Sequence, residues 1–163
     1  MTDSPDLTER AIAFETLGYI GESLEGKAAL AELGNPFTHC LDKLGQLMRD
    51  GLTETRIRGM CAFAALLQLE KENQTGELVS LTECWYRRTL GGGGQPMSVL
   101  AGMARLPFPD LRLAAFLVLR RVAEQVGAER MENGIGPAGS VFFVPSGSAF
   151  GSVIYLCGSG SFH

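Results

Sequence analysis

Apolar side chains along the first four fifths of the chain recur at helical spacing. In RAIAFETLGYIGES (10–23), Ala13, Leu17 and Ile20 fall on one side at i, i+4, i+7, which predicts an amphipathic helix. Ser4-Pro5 is its expected start, with Ser as cap oxygen and Pro where a missing N–H costs nothing. LEGKAALAELG (24–34) predicts a short helix ended by Gly34 in a left-handed cap. Asn35-Pro36 opens the next, with Phe37, Cys40, Leu41, Leu44 and Met48 as its apolar stripe. Thr53 is the expected cap of a long helix facing Ile57, Met60, Phe63 and Leu67 inward. Thr75 is the expected cap of another, carrying Leu78, Leu81 and a core-filling Trp85. Met97–Leu106 reads as a shorter helix, and Pro109 starts a last one through about Val126. No sustained period-2 alternation interrupts these segments, so the fold class is all-α.

Three of these helices repeat. Superposing Leu17, Phe63 and Leu119 aligns Arg10 with Arg56 and Arg112, and Ala13 with Gly59 and Ala115. Phe14 then falls on Met60 and Phe116, and Ile20 on Leu66 and Val122. The first interval lies within the roughly 40–47 residues of HEAT and armadillo units. The second exceeds it by about ten, and Gly91–Gly94 is the expected site of an enlarged loop. Recurring small residues mark close helix approach and recurring bulky ones fill a core, which favours a stacked solenoid of about three repeats over a generic bundle.

Charge divides the chain in two. Every Asp, Glu, Lys and Arg lies at or before Glu132. Residues 1–131 are therefore read as helical repeats, and residues 132–163 as an uncharged Gly/Ser-rich tail. Pro145 and the interspersed Gly and Ser argue against a membrane span in the tail, and Val153 and Tyr155 leave a strand pair open. The preferred expectation is a disordered tail, or one foreign to the rest of the chain through read-through or a mispredicted exon.

Composition excludes several kinds of chemistry. A net charge of −4 provides no basic stripe for nucleic acid. Four separated cysteines form no CxxC pair, and two histidines cannot supply common metal or Ser–His–Asp sites. His39 beside Cys40 does not make a four-ligand site. Cys40 and Cys61, on or beside apolar helical faces, are expected to be buried, inert thiols. Gly134–Gly139 matches GxGxxG, but no strand precedes it and no helix is expected after it. Gly91–Gly94 lacks the Gly-Lys-Ser/Thr ending of a phosphate loop. The reading is a protein without catalytic residues, metal or cofactor. The acidic N-terminus lacks the apolar run of a signal peptide, so a reducing compartment is expected.

The segments RAIAFETLGYIGESLEGKAAL (10–30), TRIRGMCAFAALLQL (55–69), LTECWYRRTL (81–90) and LPFPDLRLAA (106–115) resemble, in order, the 26S proteasome non-ATPase regulatory subunit 5 family. The resemblance covers roughly residues 6–131 and stops at the tail. It implies an armadillo/HEAT-like right-handed superhelical solenoid that chaperones assembly of the proteasome base. The implied partners are base ATPase subunits and an associated non-ATPase base subunit, with no nucleic acid and no membrane. The implied location is the cytosol, with the nucleus second. A generic armadillo scaffold or trafficking adaptor is the alternative on the same fold. Family members are considerably longer, so the resemblance implies an interior slice. Such a slice would expose apolar faces at its ends, favouring marginal stability or self-association.

In armadillo units the third helix lines the binding surface, a role the three long helices would take here. Polar residues off their buried stripes are the partner-contact candidates: Glu15, Tyr19, Arg58, Gln68 and Arg121. Glu15 and Tyr19 share a helix face at i, i+4. Tyr and Arg are enriched among binding hot spots.

Overall fold

The computed structural model describes residues 6–92 and 94–132, with side chains described through Gln125 except at Leu7. These residues form seven α-helices and one 3-10 turn, with no strand among them. The tail 133–163, its GxGxxG match and its candidate strand pair lie outside the described residues. The fold class of the described residues is all-α.

Helix α1 (Leu7–Glu22) is capped by Asp6, whose Oδ1 accepts from the Thr8 N–H at 2.8 Å. The cap expected at Ser4 therefore moves inward, because a carboxylate at the position before Leu7 serves the same orphan donors. Ser23 then ends α1 and caps α2 (Leu24–Glu32), its Oγ accepting from Gly26 N at 3.0 Å. This corner is so tight that a Cβ on Gly26 would lie 1.7 Å from the Ile20 carbonyl oxygen. Gly34 follows α2 at φ 60, as a glycine there should, and leads directly into α3 (Asn35–Asp50).

Leu52, not Thr53, is the N-cap residue of α4 (Thr53–Leu67). Thr53 is already helical, and Leu52 has extended backbone with no side-chain cap bond. Thr75 does cap α5 (Gly76–Gly91), its hydroxyl accepting from Leu78 N at 3.4 Å. Helix α6 (Pro96–Ala104) begins on its proline, and α7 runs Pro109–Glu132, beyond the expected end near Val126.

The three helices aligned by the repeat, α1, α4 and α7, lie side by side, α1 against α4 and α4 against α7. Leu17, Phe63 and Leu119 belong to one core, with Phe63 fully buried and the other two partly so. The buried stripe of α1 is Ala11, Phe14, Gly18 and Gly21, and Ile20 is exposed, contrary to the expected Ala13/Leu17/Ile20 face. Close approach explains the difference. A Cβ on Gly18 would stand 3.0 Å from both Cα and the carbonyl oxygen of Ala62, and one on Gly21 would meet Leu66 Cδ2 at 2.4 Å. The helix contact is marked by what is missing from the side chains, so a search for bulky residues rotates the face.

The segments between the long helices are not copies of each other. Short α2 then long α3 separate α1 from α4, whereas long α5 then short α6 separate α4 from α7. The added length also lies elsewhere than expected. Helix α5 continues to Gly91, while α4 reaches α5 through residues 68–75 with the 3-10 turn Lys71–Asn73. The corresponding link from α1 to α2 is Ser23 alone.

Helices α3 and α5 brace this row. Phe37 and Trp85 meet edge to face at 5.0 Å, and a Cβ on Gly45 would lie 2.1 Å from the Thr89 carbonyl oxygen. Arg88 bonds both carboxylate oxygens of Asp42, at 2.7 and 2.6 Å. Carbonyls near four helix C-termini receive donors from side chains of other helices. Lys27 Nζ donates to Gly21, Arg56 Nε to Met48 at 2.8 Å, Arg49 to Thr89 at 3.2 Å, and Gln125 Nε2 to Leu67. The sequence alignment of Arg10, Arg56 and Arg112 does not extend to this role, since Arg112 is exposed.

Candidate partner-binding surface

Helix α4 is buried over most of its circumference, because α1, α3 and α7 all pack on it. Beyond Ile57, what remains at least partly open is a strip at i, i+3, i+7, i+10: Arg58, Cys61, Ala65 and Gln68. Each end of that strip is tied to a neighbouring long helix. Arg58 lies 3.8 Å from Glu15 on α1 and 3.0 Å from Glu54 on its own helix. Gln68 Oε1 accepts from Arg121 on α7 at 2.9 Å. Arg121 also pairs with Glu124 at 3.1 Å, and Arg120 reaches the same carboxylate at 2.8 Å.

The structure thus joins four of the five expected residues into two cross-helix pairs, Glu15 with Arg58 and Gln68 with Arg121. They sit about 15 Å apart along α4 at 1.5 Å per residue. Tyr19, on the next turn after Glu15, stays exposed. Because the paired residues already answer one another, their polar groups hold the helices in register as much as they offer contacts. Tyr19 is the anchor with the most free surface.

Cys61 corrects an expectation. It is exposed on this strip, and only Cys40 of the two is packed against the core. Partial burial of the sulfur raises the Cys61 thiol above its ordinary pKa, and the Glu15 carboxylate raises it further. A raised thiol pKa makes a poor nucleophile at neutral pH. Glu124, which gathers Arg120 and Arg121, was not singled out by sequence; the i+4 spacing from Arg120 was the available signal. The two arginines hold its carboxyl below the usual range, Arg120 foremost through its hydrogen bond.

No cluster of three or more His, Cys, Asp or Glu able to hold a metal occurs among the described residues. No helix among them is long and apolar enough to cross a membrane.

No solved structure matches this chain. Three curated relatives, all 26S proteasome non-ATPase regulatory subunit 5, do. The bovine protein is 34% identical over 80% of this chain and the human protein 32% over the same share. The mouse protein is 34% identical over 71% of it. The chain covers only 25% of the bovine and human proteins and 22% of the mouse one. A family model described as proteasome non-ATPase 26S subunit matches residues 1–136, which takes in every described helix. With that match over seven described helices and no described strand, the chain belongs to the proteasome non-ATPase 26S subunit family.

Proposed function

We propose that the chain serves in assembly of the 26S proteasome regulatory particle base, as a chaperone that binds an ATPase subunit through its helical surface. Family membership supports a proteasome-related role, and the observation that carries the finer reading is the continuous strip across α1, α4 and α7. Two cross-helix pairs link the helices along that strip, and exposed Tyr19 supplies an aromatic anchor with few rotamers to freeze. A rigid row of helices presents an extended surface to a folded partner without ordering entropy at the moment of binding. The role is one of holding, not of chemistry: the strip's one thiol is raised in pKa, and the Glu15 carboxylate near it raises it further. An associated non-ATPase base subunit would join through the ATPase, and the work would take place in the cytosol and, secondly, the nucleus.

The test is capture of separately expressed base ATPase subunits by the immobilised chain. One ATPase subunit is expected to be retained, and Tyr19→Ala with Arg58→Ala is expected to weaken retention at least tenfold. Retention of none of them, or retention indifferent to both substitutions, overturns the reading.

A further inference from the structure

The two outer helices of the row, α1 and α7, each carry an apolar face that no other described residues cover. On α1 it consists of Ile12 and Ile20, exposed to 47 and 44%, with exposed Thr16 between them. On α7 it is Leu113 and Phe116, exposed to 66 and 55%. The α1 residues stand at i, i+4, i+8, opposite the buried Ala11, Phe14 and Gly18. Leu113 and Phe116 likewise stand opposite the buried Leu111, Ala115 and Val118.

The repeat register gives these faces a meaning. With Leu17, Phe63 and Leu119 superposed, Ile12, Thr16 and Ile20 of α1 fall on Arg58, Ala62 and Leu66 of α4. Those α4 residues are the ones that receive α1, through Glu15, Gly18 and Gly21 respectively. Leu113, Phe116 and Arg120 of α7 fall on Ile57, Met60 and Ala64 of α4. Met60 and Ala64 share a face with Leu67 and Gln68, which are tied to α7 by Gln125 and Arg121. The open face of α1 is therefore the counterpart of the surface on which α4 accepts α1. The open face of α7 is the counterpart of the surface on which α4 accepts α7.

We propose that α1 of one copy seats on α7 of a second copy, head to tail, extending the row of long helices across the junction. Carrying over the α1–α4 pairing places Leu117 opposite Ile12 and Ala123 opposite Ile20, a small residue against a large one as Gly21 is against Leu66. Arg120 takes the place of Gly18, so the helices stand farther apart at this junction than α1 and α4 do, with the arginine stem lying over Thr16. Contact is consequently weaker than within the chain. It is also heterologous: each copy keeps one free face of each kind, and the association does not close at a dimer. This rests on the packing alone and is independent of the proteasome reading.

Sedimentation velocity of the full 163-residue chain across a wide concentration range tests it. The weight-average mass is expected to rise with concentration and pass the dimer without a plateau. Ile20→Glu and Phe116→Glu, both at exposed positions, should keep the parent's helical circular dichroism and thermal midpoint, and each alone should be monomeric. Mixed, each supplies the face the other lacks, so a 1:1 dimer and nothing larger is expected. A parent chain that stays monomeric, a single variant that still dimerises through the same face on both copies, or a mixture that stays monomeric overturns the proposal.

Discussion

Gln125 of α7 donates through Nε2 to the carbonyl of Leu67, the last helical residue of α4. Its Oε1 lies 3.1 Å from the Thr82 hydroxyl of α5, so one buried amide joins three helices at the point where α4 stops. The carbonyls of a helix's last turn have no partner within the helix, and this end is dry. A side chain from a distant part of the chain answers for one of them.

Gln125→Leu keeps the volume and removes the donor. The Leu67 carbonyl is then left buried and unpaired, which costs about 1–3 kcal/mol. Denaturant unfolding followed by circular dichroism should show that loss with an unchanged m-value.

Lys27 gives a pH signature. Its side chain is fully buried at the α1–α2 corner, and desolvation lowers its pKa to about 8, against a smaller raising effect of Glu22. Below pH 8 both folded and unfolded forms carry the proton, and the fold bears the full cost of the buried ammonium. Between about 8 and the ordinary 10.5 the unfolded chain holds the proton more tightly, so stability rises with pH. From pH 7 to 10 the parent should gain about 2 kcal/mol relative to Lys27→Met, measured by urea unfolding at both pH values. Equal pH dependence of the two proteins would show that Lys27 titrates as if in water.

Glycines at contacts and glycines in the open should respond with opposite signs. Gly18→Val drives a side chain into the Ala62 backbone and should cost about 1–3 kcal/mol, since backbone cannot step aside as a side-chain tip can. Gly76→Ala, at the first turn of α5 with nothing near its Cβ, should stabilise by about 0.5 kcal/mol by restricting the unfolded chain. Thermal melts of the pair read both.

Cys61 is reachable but slow. Its raised pKa leaves little thiolate at pH 7, so a neutral maleimide should react more slowly there than with a cysteine in an unfolded peptide, accelerating as pH rises. Glu15→Gln removes the carboxylate part of the shift and should speed labelling at pH 7, by less than full exposure of the sulfur would. Rates measured by intact-mass spectrometry, with the modified residue mapped by peptide digestion, decide it.

Much of the architecture was legible in the order of residues. Apolar spacing placed all seven helices, Pro36 and Pro109 marked helix starts, Gly34 marked an end, and the shared phase of Leu17, Phe63 and Leu119 put three helices in one core. The resemblance to the proteasome subunit family was carried by the same core positions, because a core constrains residue type over the whole length of a helix. Other features lay beyond that reach. The side of α1 facing α4 depends on how near a neighbouring backbone comes, and Gly18 and Gly21 say only that something comes near. The exposure of Cys61 follows from where α1 and α7 leave a gap on α4. The pairing of Arg58 with Glu15 and Arg121 with Gln68, and the capping of Leu67 by Gln125, join residues far apart in the chain. Local pattern records what a segment can bury; which partner buries it, and which polar group answers a dry helix end, is settled only when the helices meet.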